Sequence, residues 1–159
     1  LDLSKLEAGF IDLKCEEINL TEMLKNLKSA FTIRMSGGVN FKCLIPPEEI
    51  IIRADNHRLN QIINNYLSNA IKYTPSGEIE LGYKIKDNSL ELYVKDTGIG
   101  IDKQYHDRVF QRFEKFDSFA QGTGLGLSIC KAIAENMGCS VGFTSEIGKG
   151  SCFWILIPL

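Results

Sequence analysis

The stretch NHRLNQIINNYLSNAIKY at 56–73 limits the possible folds of this chain more than any other segment. Leu59, Ile62, Ile63, Tyr66, Leu67, Ala70 and Ile71 recur at i, i+3, i+4 and i+7 spacing, which predicts a helix laying one apolar face on a sheet. Arg58, Gln61, Asn65, Asn69 and Lys72 form a second stripe at similar spacing. At about 100° per residue the two stripes lie roughly 140° apart, so the polar one faces away from the core the helix covers. Asn costs a helix roughly 0.5 kcal/mol per site relative to Ala. A face that is merely solvated would be better served by Glu, Lys or Gln. Two readings of the stripe stand side by side: a solvated face, or a row of neutral carboxamide oxygens. The second suits a hard cation already neutralised by phosphates, with Lys72 one turn beyond Asn69 as a positive point charge.

The flanking segments supply the sheet. Residues 1–10 read as the last turns of a helix, with Leu3 and Leu6 on one side and Gly9 as its stop. Ile11, Leu13 and Cys15 alternate as in a strand. A second amphipathic helix is expected over 19–35, with Leu20, Leu24, Leu27 and Phe31 in register, a capping-box pairing of Asn19 with Glu22, and Gly37-Gly38 at its end. Short strands at 40–46 and 50–55 flank Pro46-Pro47, and 77–98 reads as a hairpin joined at Asp87-Asn88. A helix at 126–138 carries Ile129, Ile133 and Met137 on one face, and a last hairpin at 139–159 turns at 148–150. Hairpins interspersed with helices predict an α+β sandwich, one mixed sheet under a helical layer.

Composition narrows the function classes. The chain of 159 residues carries a formal net charge of −2, without the basic excess of a nucleic-acid binder. No apolar run approaches the ~20 residues that span a bilayer, and no signal peptide is recognisable. The first residue is not Met, as expected of a fragment or processed chain. Cys15, Cys43, Cys130, Cys139 and Cys152 are odd in number and form no Cys-x-x-Cys. They therefore predict reduced, small hydrophobic residues in a cytosolic core, not a disulfide framework or zinc site.

Two glycine segments point to a nucleotide. Asp96-Thr97-Gly98-Ile99-Gly100 ends an alternating strand, and a carboxylate beside two glycines is an acceptor that a flat heterocycle with an exocyclic amino group, as in adenine, can approach. Gly122-Thr123-Gly124-Leu125-Gly126 runs into a helix, where main-chain N–H groups can cradle phosphate. Its spacing is neither that of a dinucleotide fingerprint nor that of a Walker loop. Taken singly, tight turns explain either segment as well.

In chain order the sequence carries NQIINNYLSNAIKYTPSGEI, VKDTGIGI, RVFQRFEKF, GTGLGLSICKAIAENMG and SEIGKGSCFWILIPL. The series resembles the Asn box, first Gly box, Phe box, second Gly box and final strand pair of sensor histidine kinases. It covers nearly the whole chain, and four boxes in order are specific where one is not. The resemblance implies the Bergerat fold of that family's ATP-binding domain, shared with gyrase B and MutL: a two-layer α/β sandwich whose mixed, mainly antiparallel sheet is covered by helices. It implies a catalytic domain over 11–159. Residues 1–10 resemble the end of the second helix of the dimerisation and phosphoacceptor domain.

The resemblance also implies roles. Asn69, with Asn65 on or near the same shell, would hold Mg²⁺. Lys72 and Tyr73 would face the phosphates and ribose of ATP, and Asp96 would bind the adenine amino group, with Ser151 supporting a bridging water. Gly98 and Gly100 would admit the nucleotide. Gly122, Thr123, Gly124, Leu125 and Gly126 would line the phosphates, and Phe110 and Phe113 would anchor a lid while also serving as core aromatics. Asn65, Lys72 and Lys115 would act on the transferred phosphoryl group. The implied partners are the phosphoacceptor domain of the parent kinase and a response-regulator receiver domain, with no nucleic acid. The implied location is cytoplasmic, within a membrane-associated homodimeric parent.

The sequence departs from the family in three ways. The lid at 114–121 is short, and Lys115 stands where Arg is frequent, so it can meet a phosphate without a fork. His57 and His106 are the only histidines, and neither follows a Ser and precedes a Glu-Leu-Arg-like run. Both are expected in surface or structural roles, so the phosphoryl acceptor is expected on another domain. A carboxamide at Asn65, where related ATPases have Glu, cannot act as a general base and favours transfer over hydrolysis. The rival expectations are a serine kinase of the same fold, of the anti-sigma type, and a pseudokinase that binds partners without nucleotide.

Overall fold

The long helix α2 (Asn56–Tyr73) lies against the middle of a sheet, with Leu59, Ile62, Ile63, Tyr66, Leu67 and Ala70 buried and Ile71 half-buried. The computed structural model describes residues 12–111 and 126–159. The expected helix end at 1–10, the lid at 114–121, Phe113, Lys115 and 122–125 lie outside the described residues. The other described elements, in order, are β1 (Cys15–Asn19), α1 (Leu20–Thr32), β2 (Val39–Leu44), β3 (Ile51–Asp55), β4 (Gly77–Lys86), β5 (Ser89–Asp96), a 3-10 helix (Lys103–Arg108), α3 (Gly126–Asn136), β6 (Ser140–Glu146) and β7 (Gly150–Pro158).

The strands form two sheets where a single one was expected. Five run in the order β2-β4-β5-β7-β6, with β2 and β4 parallel and the remaining pairs antiparallel. β1 and β3 pair only with each other, antiparallel, and bury Ile18 opposite Ile52. Of the expected alternation of Ile11, Leu13 and Cys15, Ile11 lies outside the described residues and the other two do not mark this ribbon's inner face. Cys15 is exposed, Leu13 only half-buried, and the strand is anchored further on by Ile18. Of the described cysteines, all free, Cys130 alone is fully buried. Burial pushes its thiol up to about 12, which keeps it protonated and inert.

Local chemistry sets the element ends. Asn19 caps α1 by accepting from the Glu22 amide at 3.1 Å. The helix stops at Thr32, before the expected 35, because its apolar stripe ends at Phe31 and Ile33 is 87% exposed. The β4–β5 turn has positive φ at both Asp87 (50°) and Asn88 (60°), the primed two-residue turn that matches strand twist. On the sheet face away from the helices, Gly82, Tyr93, Trp154 and Gly142 stand side by side across β4, β5, β7 and β6. A side chain at Gly82 would meet the Tyr93 ring, and one at Gly142 the Trp154 ring, so each aromatic lies flat over its glycine. From the helix side, Tyr66 donates to the Trp154 carbonyl at 3.1 Å and ties α2 to β7.

Asp55 joins the ribbon to the main layer. Its Oδ1 accepts the Arg58 amide at 3.0 Å, capping α2, and its Oδ2 accepts the Lys14 amide at 2.8 Å. Burial raises its pKa, but the two amides and the Arg58 charge outweigh that and hold the carboxyl below its ordinary value. Its contribution is therefore present above the unfolded pKa and lost as pH falls through the folded one. Asp55→Ala is expected to lower stability by about 1–2 kcal/mol at neutral pH. In urea melts across a pH series, the gap to wild type should close below about pH 4.

Candidate nucleotide site

β5 ends on Asp96, in register with Ser151 on β7 and on the same face as the buried Leu90, Leu92 and Val94. The carboxylate is thus carried to the edge of the core, 8% exposed, under the C-terminal turns of α2. Its Oδ1 accepts the Gly98 amide at 2.9 Å and the Ser151 amide at 3.3 Å. Burial pushes its pKa up, while the Gly98 and Ser151 amides and the nearby Thr74 hydroxyl favour the charged form. The result is a nearly buried anion held by main-chain dipoles, an acceptor suited to a neutral N–H donor.

The first Gly box is stapled on both sides. The Ile99 amide donates to the Tyr73 carbonyl at 3.0 Å, satisfying an end group of α2. A side chain at Gly98 would collide with that same carbonyl. Gly100 has a φ of +73°, and a side chain there would collide with the Glu146 carbonyl. The direction in which a side chain at either glycine would project is occupied by protein main chain, while Gly100 also lines the pocket. On the other side, the Gly148 amide donates to the Ile99 carbonyl at 2.8 Å. The Ile101 amide donates to Ser145 Oγ at 2.7 Å, and Ser145 Oγ lies 2.8 Å from Ser151 Oγ.

The polar stripe of α2 is not simply solvated. Arg58, Gln61, Asn65 and Asn69 are half-buried, and only Lys72 of the five is exposed. Asn69 Nδ2 donates to Asn65 Oδ1 at 3.3 Å, one turn apart, which turns the Asn69 carbonyl oxygen the other way. Gly126, at the start of α3, is pressed against the Asn65 amide so closely that a side chain there would collide. A pocket opens between these elements. Asn69, Ala70 and Tyr73 line it from α2, Asp96 from β5, Ile99, Gly100 and Ile101 from the loop, Leu127 from α3, and Ser151 and Phe153 from β7.

Of the residues singled out in the sequence, Asn69, Tyr73, Asp96, Gly100 and Ser151 meet in this pocket. Asn65 and Gly126 meet each other one turn further up α2, Gly98 packs against the Tyr73 carbonyl and Thr74, and the Lys72 ammonium lies 5.7 Å from the Tyr73 ring centre. Phe110 is an aromatic behind the pocket wall, edge-on to Phe153 at 6.1 Å and to Phe143 at 6.0 Å. His106 is structural: its Nε2 lies 3.0 Å from the Ile101 carbonyl and its ring is edge-on to Phe143. His57 is exposed in the first turn of α2. Among the described residues no three His, Cys, Asp or Glu side chains cluster to hold a metal.

Three residues escaped the sequence reading. Ser145 is opposite Ser151 in the β6–β7 register, so the hairpin alone pairs the two. Phe153, two residues on, is on the same face of β7. Thr74 precedes Pro75, which disfavours helix at Thr74 and turns it out of α2 towards Asp96.

Burial of the Asp96 charge works against folding at neutral pH. Its raised pKa favours the folded state fully below the unfolded pKa, and that advantage is lost as pH rises through the folded one. Asp96→Asn keeps an oxygen for the two amides and removes the charge. Without nucleotide at neutral pH, this variant should melt no lower than wild type in scanning calorimetry, and its lead should shrink as pH falls towards about 4.

Comparison with known proteins agrees with this geometry. Residues 54–159 match the family described as histidine kinase-, DNA gyrase B-, and HSP90-like ATPase. The chain is 36% identical over 171 aligned residues to the autoinducer 2 sensor kinase/phosphatase LuxQ of Vibrio vulnificus, spanning 100% of this chain and 20% of LuxQ. The structure of full-length ShkA in complex with AMPPNP superposes with a TM-score of 0.85 at 30% identity, over 98% of this chain and 33% of ShkA. The isolated catalytic domain of histidine kinase ThkA superposes with a TM-score of 0.80 at 27% identity, over 92% of this chain and 96% of that domain. The chain belongs to the histidine kinase-, DNA gyrase B-, and HSP90-like ATPase family, as an ATP-binding catalytic domain of the sensor histidine kinase kind.

Proposed function

We propose that this domain binds ATP with Mg²⁺ and transfers the γ-phosphoryl group to a histidine on a separate dimerisation domain of its parent kinase. The observation that carries the reading is the convergence of Asp96 and Asn69 on one pocket. A buried acceptor for an exocyclic amino group and a carboxamide oxygen for a phosphate-bound cation stand on its two sides. The donor set suits Mg²⁺, which takes few protein oxygens beside phosphates and waters. ATP supplies the transferred group, and a bound Mg²⁺ would offset the phosphate charge. The protein positions the chain of phosphates, and phosphoryl transfer rests mainly on such positioning and charge neutralisation.

Each residue role follows from this reading. Asp96 accepts from the adenine amino group beside Ser151, while Tyr73 and Lys72 face the ribose and phosphates. Lys115 and the second Gly box at 122–126 complete the phosphate side. Asn65 is held by Asn69 and Gly126, and a carboxamide does not take a proton from water near neutral pH, so hydrolysis is disfavoured. Residues 1–10 are assigned to the end of the dimerisation helix and 11–159 to the catalytic domain. The partners are that dimerisation domain and a response-regulator receiver domain, in the cytoplasmic part of a membrane-associated homodimer. No described helix is long and apolar enough to cross a membrane.

Asn69→Ala should weaken Mg²⁺–ATP binding by about 5- to 150-fold while the nucleotide-free melting temperature stays at or above that of wild type. Isothermal titration and calorimetry read the two effects separately, and a large fall in melting temperature would make Asn69 structural.

Incubation with γ-labelled ATP tests the acceptor assignment. The domain alone should acquire no stable label, since His57 and His106 lack an acceptor setting. Addition of the parent dimerisation domain should give an acid-labile, base-stable label on that domain, weakly, because separate pieces lose the mM effective concentration of a linker. Strong acid-labile labelling of the domain alone would overturn the mechanism.

A further inference from the structure

We propose that Thr74 is a positioning residue for the purine: its buried hydroxyl donates to the Asp96 carboxylate as that carboxylate takes up an exocyclic amino group, and so sharpens the choice of nucleobase. The proposal rests on reading the pocket as an adenine nucleotide site.

Thr74 is the residue at which the chain leaves α2, at φ −122° and ψ 83°. It is 1% exposed, and its Oγ1 is buried with no hydrogen-bond partner among the described residues. A buried hydroxyl without a partner costs folding free energy, and such groups persist in native proteins where something else requires them. Valine has the same branched shape and the same backbone preference without that cost. Packing alone therefore does not account for a hydroxyl here.

The surroundings indicate what the hydroxyl serves. A side chain at Gly98 would stand 2.7 Å from Thr74 Oγ1, so the hydroxyl is against the Gly98 Cα, two residues beyond Asp96. It is also near enough to Asp96 to favour the charged carboxylate. The Gly98 and Ser151 amides both bind one oxygen, Oδ1. The donor still without a partner in this corner is the Thr74 O–H, and a hydroxyl rotates freely to meet an acceptor. With the hydroxyl donating, Asp96 remains an acceptor for an amino group. A protonated Asp96 would instead present an O–H, donor against donor. Thr74 touches no nucleotide in this arrangement and acts through Asp96.

The test compares wild type, Thr74→Val and Thr74→Ser in the full chain, titrated with Mg²⁺–ATP and with Mg²⁺–ITP, in which a carbonyl oxygen replaces the amino group. Wild type should prefer ATP. Thr74→Val, which keeps the branch and loses the hydroxyl, should weaken ATP binding by about 10-fold with little change for ITP, so that discrimination collapses. Its nucleotide-free melting temperature should equal or exceed that of wild type. Thr74→Ser, which keeps the hydroxyl and loses the methyl, should retain the ATP preference even if it melts lower. An ATP preference unchanged in Thr74→Val, or lost in Thr74→Ser and kept in Thr74→Val, would overturn the proposal and make Thr74 structural. Failure of wild type itself to bind ATP would overturn the adenine reading of the pocket and the proposal with it.

Discussion

Helix α2 has to satisfy two surfaces at once. Its apolar residues must lie on the sheet, because burying five large side chains and Ala70 supplies much of the core. That packing sets the helix rotation, and the rotation then sets where Asn65 and Asn69 point. With Tyr66 bonded to the β7 main chain, the helix cannot roll without breaking a buried hydrogen bond. The core thus sets the direction of the carboxamides, and the Asn69–Asn65 bond and the Gly126 contact hold Asn65 there. A ligand entering the pocket meets a side already ordered, which lowers the entropic cost of binding.

The sheet delivers the opposite side. β5 and β7 pair last at Asp96 and Ser151, where the ladder between them stops. The Gly98 and Ser151 amides turn to the Asp96 carboxylate instead. The Tyr73 carbonyl at the end of α2 takes the Ile99 amide, and the Ile99 carbonyl takes the Gly148 amide. Helix end, loop and hairpin turn are thus joined by bonds that each satisfy a group the regular elements leave open. A substitution at Gly98 or Gly100 would push apart main chain on either side, so these positions bear on the fold as directly as on the site.

The site also carries two unfavourable burials. Asp96 is a nearly buried charge whose pKa is raised, and Thr74 is a buried hydroxyl without a hydrogen-bond partner among the described residues. Both would be better replaced for stability alone. Unfavourable burial concentrated at one corner, in a core otherwise satisfied among the described residues, is the pattern expected of a binding site. Asp55 offers the contrast: it is also a buried carboxylate, but the Lys14 and Arg58 amides and the Arg58 charge outweigh its desolvation and hold its pKa down.

Much of this was legible in the sequence because it depends on short-range periodicity. The bounds of α2, the Asp87-Asn88 turn and the hairpins follow from repeats of 3.6 and 2 residues, which a linear pattern displays directly. The order of the boxes likewise indicated the family. The separation of β1 and β3 from the main sheet was not legible, because two short strands can pair equally well with several neighbours. The contact of Gly126 with Asn65, the Ser145–Ser151 contact and the position of Thr74 near Asp96 were not legible either. Each is a contact between segments distant in the chain or across a turn, set by how helices and strands pack. The sequence determined which faces were apolar and which residues could carry charge or bind a cation. Only the tertiary structure decided which of them meet, because side-chain contacts between elements depend on packing distances that no local period encodes.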